Sequence, residues 1–249
     1  MRLKDKVSVI TGAGSGIGRA AALRFAQEGS KVIVADIVPE GGEGTVDAIR
    51  ASGGDAVFFK VDVAKADQVA AMARFAVEHY GKVNVLFNNA GISRLNDDGV
   101  ITELEEEIWD LILATNLKSV FLSCKYVFPE LIKAGGGSVV NTASVSGLVA
   151  SERPCYSAAK GGMIALTRSL AAQFAYANIR VNAIAPGAVE TALVAGQQAK
   201  VTRAPIPAPL SARVAKPEEI ANLVLFLASD EASNVTGATY PIDGGVTAR

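Results

Sequence analysis

Tyr156 and Lys160 stand four residues apart in a stretch with helical spacing, so both side chains leave the same face of the helix. A free phenol has a pKa of about 10 and is a weak base near neutral pH. A neighbouring ammonium favours the phenolate, and so does any other positive charge brought to the same place. The pair is therefore suited to giving and taking a proton. Ser144 lies twelve residues earlier, just past a strand-like run that ends at Asn141, and Ser146 is its near neighbour. Asn116 falls inside a long apolar helical segment, where its propensity is poor and a buried amide needs hydrogen-bond partners.

A second group of residues is built to hold a phosphate. Thr11-Gly12-Ala13-Gly14-Ser15-Gly16-Ile17-Gly18 follows a β-branched run and opens a helix. Glycines here permit positive φ and let a pyrophosphate rest against backbone N–H groups at the helix N-terminus. The general dinucleotide spacing Gly-x-Gly-x-x-Gly does not fit, because Ile17 stands where its third glycine would fall. The turn reads instead Gly-x-x-x-Gly-x-Gly over Gly12, Gly16 and Gly18. Asp36 ends the next strand-like run. A carboxylate there accepts hydrogen bonds from both adenosine ribose hydroxyls and repels a 2′-phosphate, which favours NAD over NADP. Ser15 follows Gly14, so no Arg or Lys waits there for such a phosphate. Asp62, after the third run, is placed to accept from an adenine amino group, with Val63 packing beside it.

The elements that must position these residues alternate in period. Strand-like runs cover Val7–Ile10, Lys31–Ala35, Val57–Val61, Val83–Phe87, Ser138–Asn141 and Ile179–Ile184. Helical spacing covers Ile17–Gln27, Pro39–Ala51, Ala66–Tyr80, Glu103–Lys133, Tyr156–Tyr176 and Pro217–Ala228. Continuous apolar strands separated by helices predict a parallel sheet covered on both faces. The stretch Thr202–Leu210, with Pro205, Pro207 and Pro209, reads as a loop or flap inside one domain spanning residues 1–249.

Composition narrows the classes. Half of the 249 residues are hydrophobic, enough for a large core and against disorder. Two cysteines, Cys124 and Cys155, make no disulfide framework. The net charge of −1 offers no attraction to nucleic acid or an anionic membrane. Asn116, Lys118 and Lys125 interrupt the apolar stretch Leu111–Phe128, so it does not read as a membrane span. The polar N-terminus and the absence of a cleavable apolar segment lead to the expectation of a cytoplasmic protein. The single histidine, His79, reads as a surface residue at a helix end, and with no His/Cys cluster a zinc site is not expected. Trp109 and Cys155 read as packing residues.

Taken in order and spacing, these motifs resemble the short-chain dehydrogenase/reductase family along almost the full length. The matching elements are Thr11–Gly18, Asp62, Asn88-Asn89-Ala90-Gly91, Asn116, Ser144, Tyr156-Ser-Ala-Ala-Lys160, Asn182 with Pro186-Gly187, and Pro241-Ile-Asp-Gly244-Gly245. The resemblance implies a single doubly wound Rossmann domain, with a parallel seven-stranded sheet and helices on both faces. It implies that Ser144 holds the substrate oxygen, and Gly147 three residues on favours Ser144 over Ser146 for that role. It implies that Tyr156 is the acid/base, that Lys160 holds the nicotinamide ribose, and that Asn116 kinks its helix and holds a water that relays protons to Lys160. Gly12, Ser15, Gly16, Ile17 and Gly18 would line the cofactor, and Asn89, Ala90 and Gly91 would admit the adenosine ribose. Pro186, Gly187 and Val189 would pack by the nicotinamide, with Thr191 bonding its carboxamide or the phosphates. The expected function is an NAD-dependent exchange of a secondary alcohol and a ketone by a homotetramer. A 3-oxoacyl thioester reductase and a non-catalytic dinucleotide-binding regulator are the alternatives. Substrate identity is expected to sit in Ser93, Arg94, Ser146, Arg153 and a flap over residues 192–212, where Arg94 and Arg153 either clamp an anion or are solvated loop residues.

Overall fold

The computed structural model describes residues 1–191 and 208–248. Seven strands form one sheet: β1 (Val7–Thr11), β2 (Lys31–Asp36), β3 (Asp55–Lys60), β4 (Val85–Asn88), β5 (Gly137–Thr142), β6 (Ile179–Pro186) and β7 (Thr239–Ile242). Their order is β3-β2-β1-β4-β5-β6-β7, and every pairing is parallel. The chain builds outward from β1 to one edge, then crosses to β4 and builds to the other. That reversal opens a crevice beyond the carboxyl ends of β1 and β4, the usual ligand position in such sheets.

Side chains alternate across the sheet, so each strand feeds two cores. Val9, Ile33, Val139 and Val181 face α3 (Ala66–Tyr80), α5 (Ser119–Lys133) and α6 (Pro154–Phe174). Ile10, Val32, Val34, Val140 and Ile184 face α1 (Gly16–Gln27), α2 (Pro39–Ala51) and α7 (Pro217–Ala228). The apolar stretch around Leu111–Phe128 covers one side of this sheet: Val120, Leu122, Cys124, Val127 and Phe128 are all buried there. Trp109 packs with Ile112, Cys155 and Ala159 in a smaller cluster between α4 (Glu106–Leu113) and α6.

Two elements differ from the pattern that periodicity predicts. The helix expected over Glu103–Lys133 is broken into α4, a wider π turn at Ala114–Lys118, and α5. Such a π turn interrupts the regular backbone ladder and is common near functional sites. Here it carries Asn116, whose amide is bonded outside its own helix. The seventh strand, β7, lies outside the apolar runs because it is a short, partly exposed edge that contains Pro241. An edge strand tolerates a proline, since one side of its backbone needs no partner. Most of the expected flap, residues 192–207, lies outside the described residues; of the rest, Ala208, Pro209 and Ser211 border the crevice.

Candidate active site

The carboxyl ends of the strands open into a cleft of about 1940 Å³. Pockets for single small molecules are commonly about 300–1000 Å³, so this one has room for a dinucleotide and a second molecule. Gly12, Ser15, Gly16, Ile17, Asp36, Asp62, Val63, Asn89, Ala90, Gly91, Pro186, Gly187, Val189 and Thr191 all border it.

The turn after β1 is held by the strand beside it. Thr11 Oγ1 accepts from the backbone N–H groups of Asn89 (3.0 Å) and Ala90 (3.1 Å). Asn89 Nδ2 donates back to the carbonyls of Thr11 and Gly12. Gly12 sits at φ +65°, and a Cβ there would come within 2.9 Å of Ala90 Cα. Gly16 sits at φ +51°, with Thr191 against it. Gly18 does not border the cleft; a Cβ there would overlap the Gly12 carbonyl, so its lack of a side chain lets α1 pack onto the turn.

These residues fit the pyrophosphate of a dinucleotide. Ser15 begins α1 in extended backbone, makes no side-chain cap, and no acidic residue occupies the first turn. The first turns of α2, α3, α4 and α7 each carry an acid. The positive end of α1 is thus left open toward the cleft, where an anion satisfies its N–H groups. Asp36 accepts from Gly14 N at 2.8 Å and from Val38 N at 3.0 Å, one bond to each oxygen. A carboxylate accepts about four such bonds, so capacity for a ribose diol remains. Asp62 accepts from Ala64 N at 2.9 Å through one oxygen and borders the cleft just past the third strand.

At the other end, Ser144 follows β5 and accepts from Ser146 N at 3.2 Å. Lys160 is buried, donates from Nζ to the Thr142 carbonyl at 2.6 Å, and lies 5.4 Å from the Tyr156 ring centroid. Burial pushes the Lys160 ammonium down to about 8. Burial pushes the Tyr156 phenol up, while the Arg153 guanidinium and the Ser144 hydroxyl beside it pull it back down. Two cations therefore face the phenol ring, Lys160 as the sequence spacing predicts and Arg153 in addition. The Arg153 guanidinium carbon stacks 4.6 Å from the ring centroid. It also donates to Ser146 Oγ (2.8 Å) and Ser93 Oγ (3.3 Å). Arg94 borders the same cleft and is paired with Asp97 at 3.5 Å.

Asn116 is fully buried and does not reach the cleft surface. Its Oδ1 accepts from Ile92 N (2.8 Å) and its Nδ2 donates to Ile92 O (2.9 Å). Its side chain thus ties the segment after β4 to the π turn, and Gly91 beside it leaves no space for a Cβ against Asn116 Oδ1. Asp98 escapes sequence reasoning altogether. It is 1% exposed, and its two oxygens accept from Cys155 N (3.0 Å) and Tyr156 N (2.9 Å), capping α6 from a distant loop. No local signal announces it, because a cap ordinarily comes from the residue that precedes the helix.

An open dinucleotide turn and a Ser–Tyr–Lys cluster at the two ends of one cleft define a nicotinamide-dependent oxidoreductase of the doubly wound class. A family model described as enoyl-(acyl carrier protein) reductase matches residues 12–247. The chain is 42% identical over 247 residues to a 3-oxoacyl-(acyl-carrier-protein) reductase of Thermotoga maritima, covering 99% of both. It is 41% identical over 251 residues to a cyclohexanol dehydrogenase of Acinetobacter sp., covering all of this chain and 97% of that one. Among solved structures it resembles a carveol dehydrogenase of Mycobacterium avium in complex with NAD, with a TM-score of 0.93 at 32% identity, covering 100% of this chain and 99% of that one. The chain belongs to the short-chain dehydrogenase/reductase family.

Proposed function

We propose that the protein is an NAD-dependent dehydrogenase that interconverts a secondary alcohol and a ketone, with small-ring alcohols as the first class to assay. The observation that carries this reading is the convergence of Ser144, Tyr156 and Lys160 at the end of the cleft away from the Asp36 carboxylate. The cyclohexanol-directed relative supports the ring class. When bound, the dinucleotide supplies the hydride acceptor or donor at its nicotinamide ring. Ser144 holds the substrate oxygen beside Tyr156. In oxidation Tyr156 removes the hydroxyl proton as the carbinol hydrogen leaves; in reduction it returns a proton to the carbonyl oxygen. Lys160, anchored on the Thr142 carbonyl, contributes positive charge and a route for that proton. Asn116 acts as a positioning residue, holding Ile92 and hence the cleft wall in register.

Asp36 supports NAD, because its carboxylate faces the cleft and neither Ile37 nor Val38 after it brings a cation for a 2′-phosphate. A panel of ring alcohols and ketones assayed by nicotinamide absorbance with NAD(H) and NADP(H) tests both points. Turnover with NAD(H) is expected, and Tyr156→Phe is expected to lower kcat about 10²–10⁴-fold while dinucleotide binding persists. Undiminished turnover by Tyr156→Phe would refute the mechanism, and a strong NADP(H) preference would refute the Asp36 argument. The family model and the Thermotoga relative favour a second reading, reduction of a 3-oxoacyl thioester; the same panel, extended with such a thioester, separates the two. We further propose that copies of the chain associate as a homotetramer, with the groove of Leu113, Leu117, Phe121 and Leu166 between α4, α5 and α6 as one of its contacts.

A further inference from the structure

Arg153 is a fixed cation at the reacting end of the cleft. Among the described residues it makes no ion pair. The other arginines bordering this cleft do: Arg94 pairs with Asp97 and Arg213 with Glu219. Of the acids beside it on the cleft, Asp98 has each oxygen engaged by an N–H of α6, and Glu152 is not within ion-pair distance of Arg153. Residues 192–207 contain Lys200 and Arg203 and no Asp or Glu, so that part of the chain has no acid to offer.

The guanidinium is held in place on three sides, by the Tyr156 ring, Ser146 Oγ and Ser93 Oγ. A guanidinium has five N–H donors, and these two hydroxyls take one each. Ser146 is 2% exposed, and in accepting from Arg153 it keeps its own O–H to donate. A planar donor fork beside a buried hydroxyl donor matches the two oxygens of a carboxylate. A partly buried cation that is not in an ion pair is also unfavourable, and an anionic ligand relieves that cost.

We infer that Arg153 and Ser146 form an anion subsite for a substrate carboxylate, so that the preferred substrates are hydroxy and oxo acids rather than neutral alcohols and ketones. Because the guanidinium lies over the Tyr156 ring, a carboxylate held there would sit at the same end of the cleft as the carbinol, and ring acids are the probes chosen. The inference rests on the reading of Tyr156 as the reacting group, and its test separates the two. The protein, saturated with its preferred reduced dinucleotide, is titrated with cyclohexanecarboxylate and with cyclohexanecarboxamide, followed by nicotinamide fluorescence. The carboxylate is expected to bind at least ~10-fold more tightly than the amide, as a charge-assisted pair warrants. In Arg153→Met that ratio falls to about one, and Arg153→Lys retains part of it, which shows that charge rather than folding is responsible. Equal binding of acid and amide to the wild type, or a preference that survives Arg153→Met, overturns the subsite. Reduction of 4-oxocyclohexanecarboxylate and its carboxamide then gives the second arm. If both are reduced with equal kcat/KM, the subsite fails and the proton-transfer reading stands. If neither is reduced while the binding preference holds, the subsite stands and the ring-ketone reading fails.

Discussion

Lys160 is an ammonium held away from water, and the consequence is measurable in the protein without its dinucleotide. Burial lowers it from 10.5 to about 8, while its bond to the Thr142 carbonyl favours the protonated form. Between those two values the unfolded chain binds a proton that the folded chain has released, so stability rises with pH across that window. Tyr156 is shifted upward, so its contribution is lost only at pH values above that of an ordinary phenol. Wild type is therefore expected to gain thermal stability relative to Lys160→Met as pH increases from about 8 to about 10. Melting curves of both proteins across that range check it, and a constant difference would show that the ammonium is not destabilised by burial. Tyr156 and Lys160 were readable as a pair because a four-residue spacing on a helix is a local geometric fact. That a second cation faces the ring was not readable, because Arg153 reaches it from the turn that enters α6 and is held by hydroxyls of Ser93 and Ser146.

At the scale of elements, the cleft depends on how α6 begins and how α4 passes into α5. Asp98 supplies the cap that α6 lacks from its own leading residue, since Arg153 makes no side-chain cap. Asp98→Ala leaves two backbone N–H groups without acceptors, at a cost of about 1–3 kcal/mol. In a chain of this size that lowers Tm by roughly 2–10 °C. A fall in kcat is expected with it, because Tyr156 N is one of the released donors, while dinucleotide affinity holds because α1 is a separate element. Calorimetry and steady-state kinetics test this; an unchanged Tm would remove Asp98 from any positioning role. Helices α2, α3 and α7 have the bounds that periodicity predicts, helped by prolines at the first position of α2 and α7. The break at Ala114–Lys118 was hidden, because a π turn does not disturb the apolar pattern of the helix that contains it. It is stabilised by the bonds of Asn116 to Ile92, twenty-four residues earlier in the chain.

For the molecule as a whole, the sheet order places two remote stretches of sequence at one crevice, and the outer face of α5 keeps Phe121 half exposed. Phe121 is 50% exposed in a groove with Leu113, Leu117 and Leu166 that Asp110 and Lys118 also line. If this groove is the contact between copies, Phe121→Glu introduces a charge into it and shifts the assembly to smaller species, with the far-UV circular dichroism unchanged. Size-exclusion chromatography with light scattering reads the mass directly, and an unaltered wild-type mass for the variant would place the contact elsewhere. Strand and helix alternation, the phosphate turn after β1 and the Tyr–Lys spacing are all properties of neighbouring residues, and local periodicity carries them. The parallel, two-sided sheet follows from them, because continuous apolar strands must be covered on both faces. The cap from Asp98, the anchor of Asn116 and the Arg153 charge beside Tyr156 belong to the tertiary structure alone. Each joins groups that only the folded topology brings within hydrogen-bonding or stacking distance, and no pattern along the chain distinguishes those partners from other polar residues in the same loops.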